Sequence, residues 1–255
     1  MTYVADHPLL VFALTLAGMF VAAWIGNLLP IKHLEVDGKL RDDFGVVQAA
    51  TLTLLGLIIG FTFSMALGRY DQRKNYEEEE ANAIGTEYLR ADLLPAAEAA
   101  RVRGLLREYL DQRVLFYTTK DEAQLRDVDA RTAKLQAELW TAVRGPAQAQ
   151  PNPILALVVN GMNDVLNSQG YTQAAWWNRI PIAAWCLMVG IALCSNILVG
   201  LGGSKTRSEF LLLLILPAVV AIAFFLIADI DSPRGGLIRV QPQNLYSLVQ
   251  SLRPQ

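Results

Sequence analysis

Apolar residues along this chain are gathered into long unbroken runs, separated by stretches dense in charge. Four runs, Leu9 to Leu29, Phe44 to Gly68, Ile180 to Gly203 and Phe210 to Ala228, contain no Asp, Glu, Lys or Arg. The shortest has 19 residues, which at 1.5 Å per residue reaches about 28 Å, close to the thickness of a hydrocarbon core. A charge at mid-helix costs about 3 kcal/mol, whereas each Leu gains a few tenths, so four uninterrupted runs predict four transmembrane helices. The residues ahead of the first run include Asp6 and His7 but no Lys or Arg. That is not the basic leader of a cleavable signal peptide, and the run is expected to persist as a span.

Between the second and third runs the pattern changes to helical periodicity in polar surroundings, with no alternating strand pattern. Breakers stand at Pro95, at Gly145-Pro146 and at Pro151-Asn152-Pro153. The second run passes without a breaker into Tyr70 to Leu94, where Ala81, Ile84, Tyr88 and Ala91 fall at helical spacing, so the membrane helix is expected to continue as a rod into water. Pro95 is expected to open the next helix. Val102, Leu105, Leu106, Tyr109, Leu110 and Phe116, then Leu125, Val128, Thr132, Leu135, Leu139 and Ala142, form coiled-coil-like seams that pack the insert or join subunits. Ile154, Leu157, Val158, Met162, Val165 and Leu166 form a further stripe, and Trp176 and Trp177 read as interface anchors. The predicted fold is therefore all-α, a polytopic membrane protein with four transmembrane helices and a helical insert between helices two and three. Residues 1–68 hold the first two spans, 69–179 the helical soluble domain, 180–232 the last two spans and 233–255 a C-terminal tail.

Composition sharpens this mainly by exclusion. Basic and acidic residues number 22 and 24, and no segment has the basic excess of a nucleic-acid surface. The expected partners are the lipid bilayer and inorganic ions, not nucleic acid. With His7 and His33 the only histidines, and both outside the insert, neither a zinc site nor a His-dependent triad assembles in the soluble part; no enzyme, metal or other cofactor is expected. Cys186 and Cys194 lie about two turns apart on one apolar helix and cannot bridge within the chain. Gly200-Leu201-Gly202-Gly203-Ser204-Lys205-Thr206 resembles a phosphate loop only superficially, because Lys does not follow the final Gly and no strand precedes it. Near the span ends, Arg69, Arg73, Lys74, Arg179, Arg234 and Arg239 on one side nearly balance Lys32, Lys39, Arg41, Lys205 and Arg207 on the other, so charge alone leaves the orientation open.

The second span holds the clearest functional pattern. Gly56, Gly60, Ser64 and Gly68 recur every four residues, a small-residue face that lets another helix approach closely. Thr53, Leu57 and Phe61, also every four, lie on an offset face. Around an oligomer axis that face would line an apolar constriction; in a simple bundle it would be buried. Beyond the span, Glu77, Glu78, Glu79 and Glu80 follow Arg73 and Lys74, either as a solvated helix with weak pairs from Arg73 to Glu77 and Lys74 to Glu78, or as an acidic ring that concentrates cations. Asp229 and Asp231, ahead of Ser232-Pro233-Arg234-Gly235-Gly236, mark a membrane exit and a turn. Pro217 is expected to kink the fourth span.

Several of these residues resemble one family. Leu55 to Phe61 with Arg69-Tyr70 is similar to the second span of the bestrophins, and Asp229 to Gly236 is similar to the acidic turn after their last span. Tyr70 to Pro95 and Asn178-Arg179-Ile180-Pro181 resemble the bacterial bestrophin-like membrane proteins in particular. The resemblance implies a homo-oligomeric, pentameric ion channel in a bacterial inner membrane, with both termini and the insert cytoplasmic and a neck formed by Thr53, Leu57 and Phe61. Thr53 departs from the family's apolar residue, and the tail lacks the acidic run of the calcium clasp of animal members. Selectivity does not transfer, with the acidic segment leaning to cations. A non-conducting sensor or scaffold that binds a cytoplasmic partner through the insert is the alternative.

Overall fold

The computed structural model describes residues 4–29, 38–202 and 207–253, without the side chains of 38–43 and 202–214. Among these residues every regular element is helical. The α-helices are α1 (Pro8–Leu28), α2 (Gly38–Arg90), α3 (Ala96–Thr118), α4 (Glu122–Ala149), α5 (Pro153–Trp177), α6 (Ile182–Gly202), α7 (Arg207–Asp231) and α8 (Gln243–Ser251). Among the described residues, Pro8–Leu28, Phe44–Leu93 and Pro153–Leu201 contain windows long and apolar enough to cross a membrane. Lys32, His33, Gly203, Ser204, Lys205 and Thr206 lie outside the described residues, as do the side chains of Lys39, Arg41 and Arg207.

Contacts divide the chain into two units, Met1–Arg69 with Arg179–Arg239, and Tyr70–Asn178 with Val240–Gln255. In the first, α1 packs on α6 and α7. The α1–α6 crossing is close because small residues face each other: a Cβ on Gly26 would overlap the Ile197 backbone, and one on Gly200 would overlap the Ala23 backbone. Gly18, Ala22 and Gly26 repeat every four residues, the signature of such an approach. Several polar side chains in the apolar helices bond to their own backbone: Thr51, Thr53 and Thr62 donate to Val47, Ala49 and Ile58 carbonyls, and Ser195 and the Asn196 amide nitrogen to those of Ile191 and Ala192. Each bond runs one turn back, so a hydroxyl imposes little cost in an apolar setting.

The second unit is a helical core in which α4 packs on α3 and α5, and α3 meets α8. Val102, Leu106, Tyr109, Leu110 and Phe116 of α3 and Val128, Thr132, Leu135, Leu139 and Ala142 of α4 are buried. Asp121 caps α4 by accepting from Ala123 N at 3.0 Å, and Asn152 caps α5 by accepting from Leu155 N at 2.8 Å. These caps provide acceptors for amides that have no partner inside their own helix. Pro95 is the N-cap of α3, one position outside the expected first residue. Gly145-Pro146 breaks nothing, since α4 runs through Pro146 to Ala149. A proline in the last turn frees one carbonyl near an end that already has free ones. On α5 the stripe shifts by one residue at its start: Leu155 is buried while Ile154 and Leu157 are exposed. Trp176 is no surface anchor. It is buried against Phe116 and Tyr117, with ring centroids 4.9 and 5.5 Å away, while Trp177 is exposed.

Charge enters this core through α2. Arg73, Glu77, Glu80, Ile84, Glu87 and Ala91 are all buried, and their alternating four- and three-residue steps trace one continuous seam. Glu80 pairs with the buried Arg113 and accepts from Tyr117 OH at 3.4 Å and Thr172 Oγ1 at 3.3 Å. Burial opposes the Arg113 charge, but Glu80 beside it holds the guanidinium pKa above its ordinary value. Burial and Glu80 likewise push the Tyr117 hydroxyl well up, which keeps it a donor. The Arg113 guanidinium also lies 4.4 Å from the Phe116 ring centroid. Removing one member of such a pair leaves an uncompensated buried charge. Arg113→Met is expected to lower unfolding stability by about 3–5 kcal/mol, and adding Glu80→Leu to recover most of it, as read by chemical denaturation of the detergent-solubilised protein.

Candidate functional site

The apolar part of α2 is the helix least covered by its own chain. Its most apolar 18-residue window is 6% buried, against 22% for each of the other two membrane-length stretches. Between Phe44 and Gly68 only Leu55, Thr62 and Ala66 are buried. At about 100° per residue these three share one narrow face, and Thr53, Leu57 and Phe61 project from roughly the opposite side. Leu57 is 53% and Phe61 66% exposed. Thr53 is also exposed, its hydroxyl committed to the Ala49 carbonyl at 2.8 Å, so it presents a face less polar than its residue type suggests. Gly56, Gly60 and Gly68 meet nothing within 4 Å of a built Cβ, and Ser64 is exposed. Both four-residue stripes therefore face away from the rest of the chain. Close packing within the first unit falls instead on Gly26 and Gly200.

The four glutamates beyond the span divide into two pairs. Glu78 and Glu79 are exposed. Glu80 is taken up by Arg113, and Glu77 accepts from Leu245 N at 3.0 Å and Asn244 Nδ2 at 2.6 Å, so its carboxylate sits on the first turn of α8. Arg73 points to the other kind of helix end, donating to the Ala175 and Asn178 carbonyls at 3.3 and 3.5 Å where α5 stops. A carboxylate at an N-terminus and a guanidinium at a C-terminus each complement unpaired backbone groups and the helix dipole.

At the other end of the chain, three separate segments converge on Asp231. Its carboxylate, 1% exposed, faces Arg69 at 3.6 Å, accepts from Arg179 Nε at 3.1 Å and accepts from Ile180 N at 3.2 Å. Arg179 also reaches Asp6 at 2.7 Å, and Ser232 Oγ donates to Asp6 at 3.4 Å. Asp229, equally buried, accepts from Leu237 N at 2.6 Å and Ile238 N at 2.8 Å, which folds the chain back after α7. Pro233 is half-buried in that turn, and Gly235 N donates to Ser232 Oγ at 3.1 Å. Sequence spacing could not have assigned Arg69 and Arg179 to Asp231, because the partners lie far apart along the chain. Among the described residues no group of three or more His, Cys, Asp or Glu side chains is placed to hold a metal. Cys186 and Cys194 are free and exposed.

The arrangement has recognisable relatives. A family model described as a bestrophin-like domain matches residues 13–245. A bestrophin homologue from Klebsiella pneumoniae, solved with zinc anomalous phasing, is similar with a TM-score of 0.64 at 15% identity, over 96% of this chain and 95% of that one. A singly substituted form of a Klebsiella pneumoniae bestrophin homologue gives a TM-score of 0.65 at 13% identity, over 94% and 97%. A structure described only as a membrane protein, also singly substituted, gives 0.66 at 14% identity, over 96% and 97%. No curated protein matches the chain.

Asp231 is the most heavily partnered group of this end of the chain, and its substitution should be felt throughout the first unit. Asp231→Asn is expected to cost about 3 kcal/mol, because it removes the counter-charge of the partly buried Arg69 and one of the two carboxylates that face Arg179. A lowered midpoint in a detergent thermal-shift measurement checks this, and an unchanged midpoint contradicts it.

Proposed function

This chain belongs to the bestrophin-like family, and from that premise we propose that it is one subunit of a homo-oligomeric, pentameric ion channel whose pore is lined by α2. The carrying observation is that the apolar stretch of α2 is left open by its own chain on the whole side that carries Thr53, Leu57 and Phe61. Such a helix, as long as a bilayer is thick, needs neighbours or lipid around it. In this reading α1, the apolar part of α2, α6 and α7 are four spans of a bacterial inner membrane, and the helical insert between the second and third is cytoplasmic with both termini.

Thr53, Leu57 and Phe61 then form stacked apolar rings around the axis, and Gly56, Gly60, Ser64 and Gly68 let adjacent subunits approach closely. A constriction of this kind gates by dewetting, with Phe61 its bulkiest ring. Of the acidic segment, the exposed Glu78 and Glu79 are free to concentrate cations, while Glu77 and Glu80 serve the interior of the insert. The reading therefore leans to cations.

Purified protein in liposomes under a salt gradient provides the test. Phe61→Ala is expected to raise ion flux several-fold, and neutralising Glu78 and Glu79 together to move the reversal potential away from the cation limit. Unchanged flux would remove Phe61 from the constriction. No flux from either form, in a preparation shown to be inserted and oligomeric, would instead favour a sensor or scaffold that works through the insert.

A further inference from the structure

Of the buried charges on the described part of α2, Glu87 alone has both carboxyl oxygens without a hydrogen-bond partner. It is fully buried. Its side chain and that of Arg90 press against the α5 backbone at Gly161, where a Cβ would overlap Glu87 Oε2 and the Arg90 guanidinium. Arg90 stands between Glu87 and Asp164 of α5, 4.0 Å from the nearest Asp164 oxygen, and the Arg90 and Asp164 side chains reach solvent. The charged groups acting on Glu87 are thus Arg90 on its own helix and Asp164 on α5.

An ionised carboxylate held in this way would lack the donors that its burial demands, whereas a neutral acid needs far less. A metal ion does not suit the position, because a guanidinium already stands beside it. We infer that Glu87 is a proton-binding site that makes the α2–α5 seam pH-sensitive, closed while the carboxyl is neutral and rearranged when it ionises. On ionisation, Arg90 is the cation within reach, and turning to Glu87 takes it from Asp164. Burial, partly opposed by Arg90 and reinforced by Asp164, raises the Glu87 pKa from its ordinary 4.5 to about 8. The folded state therefore holds the proton more tightly than the unfolded chain. The stabilisation this contributes is full below the unfolded value of 4.5, declines as pH rises, and is gone above about 8. The site stands whether or not the protein conducts ions.

Glu87→Gln mimics the neutral acid and cannot titrate. Thermal unfolding of the whole detergent-solubilised protein, followed from below 4.5 to above 8, should show wild type losing stability relative to Glu87→Gln across that interval and not beyond it. At a pH above 8, hydrogen exchange in the middle of α5 should be faster in wild type than in Glu87→Gln. Parallel unfolding profiles would overturn the inference. Should Glu87→Gln fail to fold, infrared difference spectra of wild type decide. A protonated-carboxyl band that disappears near pH 8, and disappears at lower pH in Asp164→Asn, supports the site, and the lack of any such band overturns it.

Discussion

Buried charge on one face of α2 is the constraint to which the second unit is built. Beyond Arg69 the helix presents Arg73, Glu77, Glu80 and Glu87 to the interior, and an unpaired charge there costs several kcal/mol. The fold responds with partners of complementary kind. Arg73 meets the carbonyl end of α5, Glu77 the amide end of α8, and Glu80 a guanidinium from α3. Three helices are thereby located on α2 by directional contacts, which apolar packing alone would leave less defined. Glu87 departs from the pattern because neither of its oxygens accepts a hydrogen bond, although the Arg90 guanidinium stands beside it, and the proton supplies what the protein does not.

The first unit solves a related problem with fewer charges. Its apolar helices keep their polar side chains bonded to their own backbone, and its ionic groups gather at Asp231. That carboxylate draws together the end of the apolar part of α2, the segment before α6 and the end of α7. Two of these stretches, Arg69-Tyr70 and Asp229 to Gly236, resemble the bestrophins, and Asn178 to Pro181 resembles the bacterial bestrophin-like membrane proteins.

What could be read from sequence follows from what each signal encodes. Charge-free runs report residue by residue on their surroundings, so the apolar helices and the unbroken passage of α2 into a polar segment were plain. Heptad spacing placed most of the α3 and α4 core. The acidic run misled because burial of Glu77 and Glu80 depends on Leu245, Asn244 and Arg113, residues from 33 to 168 positions away. Read locally, four consecutive glutamates look solvated. The seam could have been found only by giving charged residues at four- and three-residue steps the same weight as apolar ones. The close approach at Gly26 and Gly200 has a weaker mark in the sequence than the glycine stripe on α2, whose face the single chain leaves open. Pro146 shows the limit of breaker residues, since a proline near the end of a helix breaks little.

In the proposed channel the open face of α2 meets water along the axis of the assembly, while Leu55, Thr62 and Ala66 meet the subunit itself. Cysteine scanning separates the two most directly. With Cys186 and Cys194 replaced, single cysteines are placed at positions 53, 55, 57, 61, 62 and 66, and a water-soluble thiol reagent is applied during flux through liposomes. Modification and block are expected at 53, 57 and 61, with protection at 55, 62 and 66. Protection at all six, or block confined to 55, 62 and 66, would contradict a pore lined by this helix.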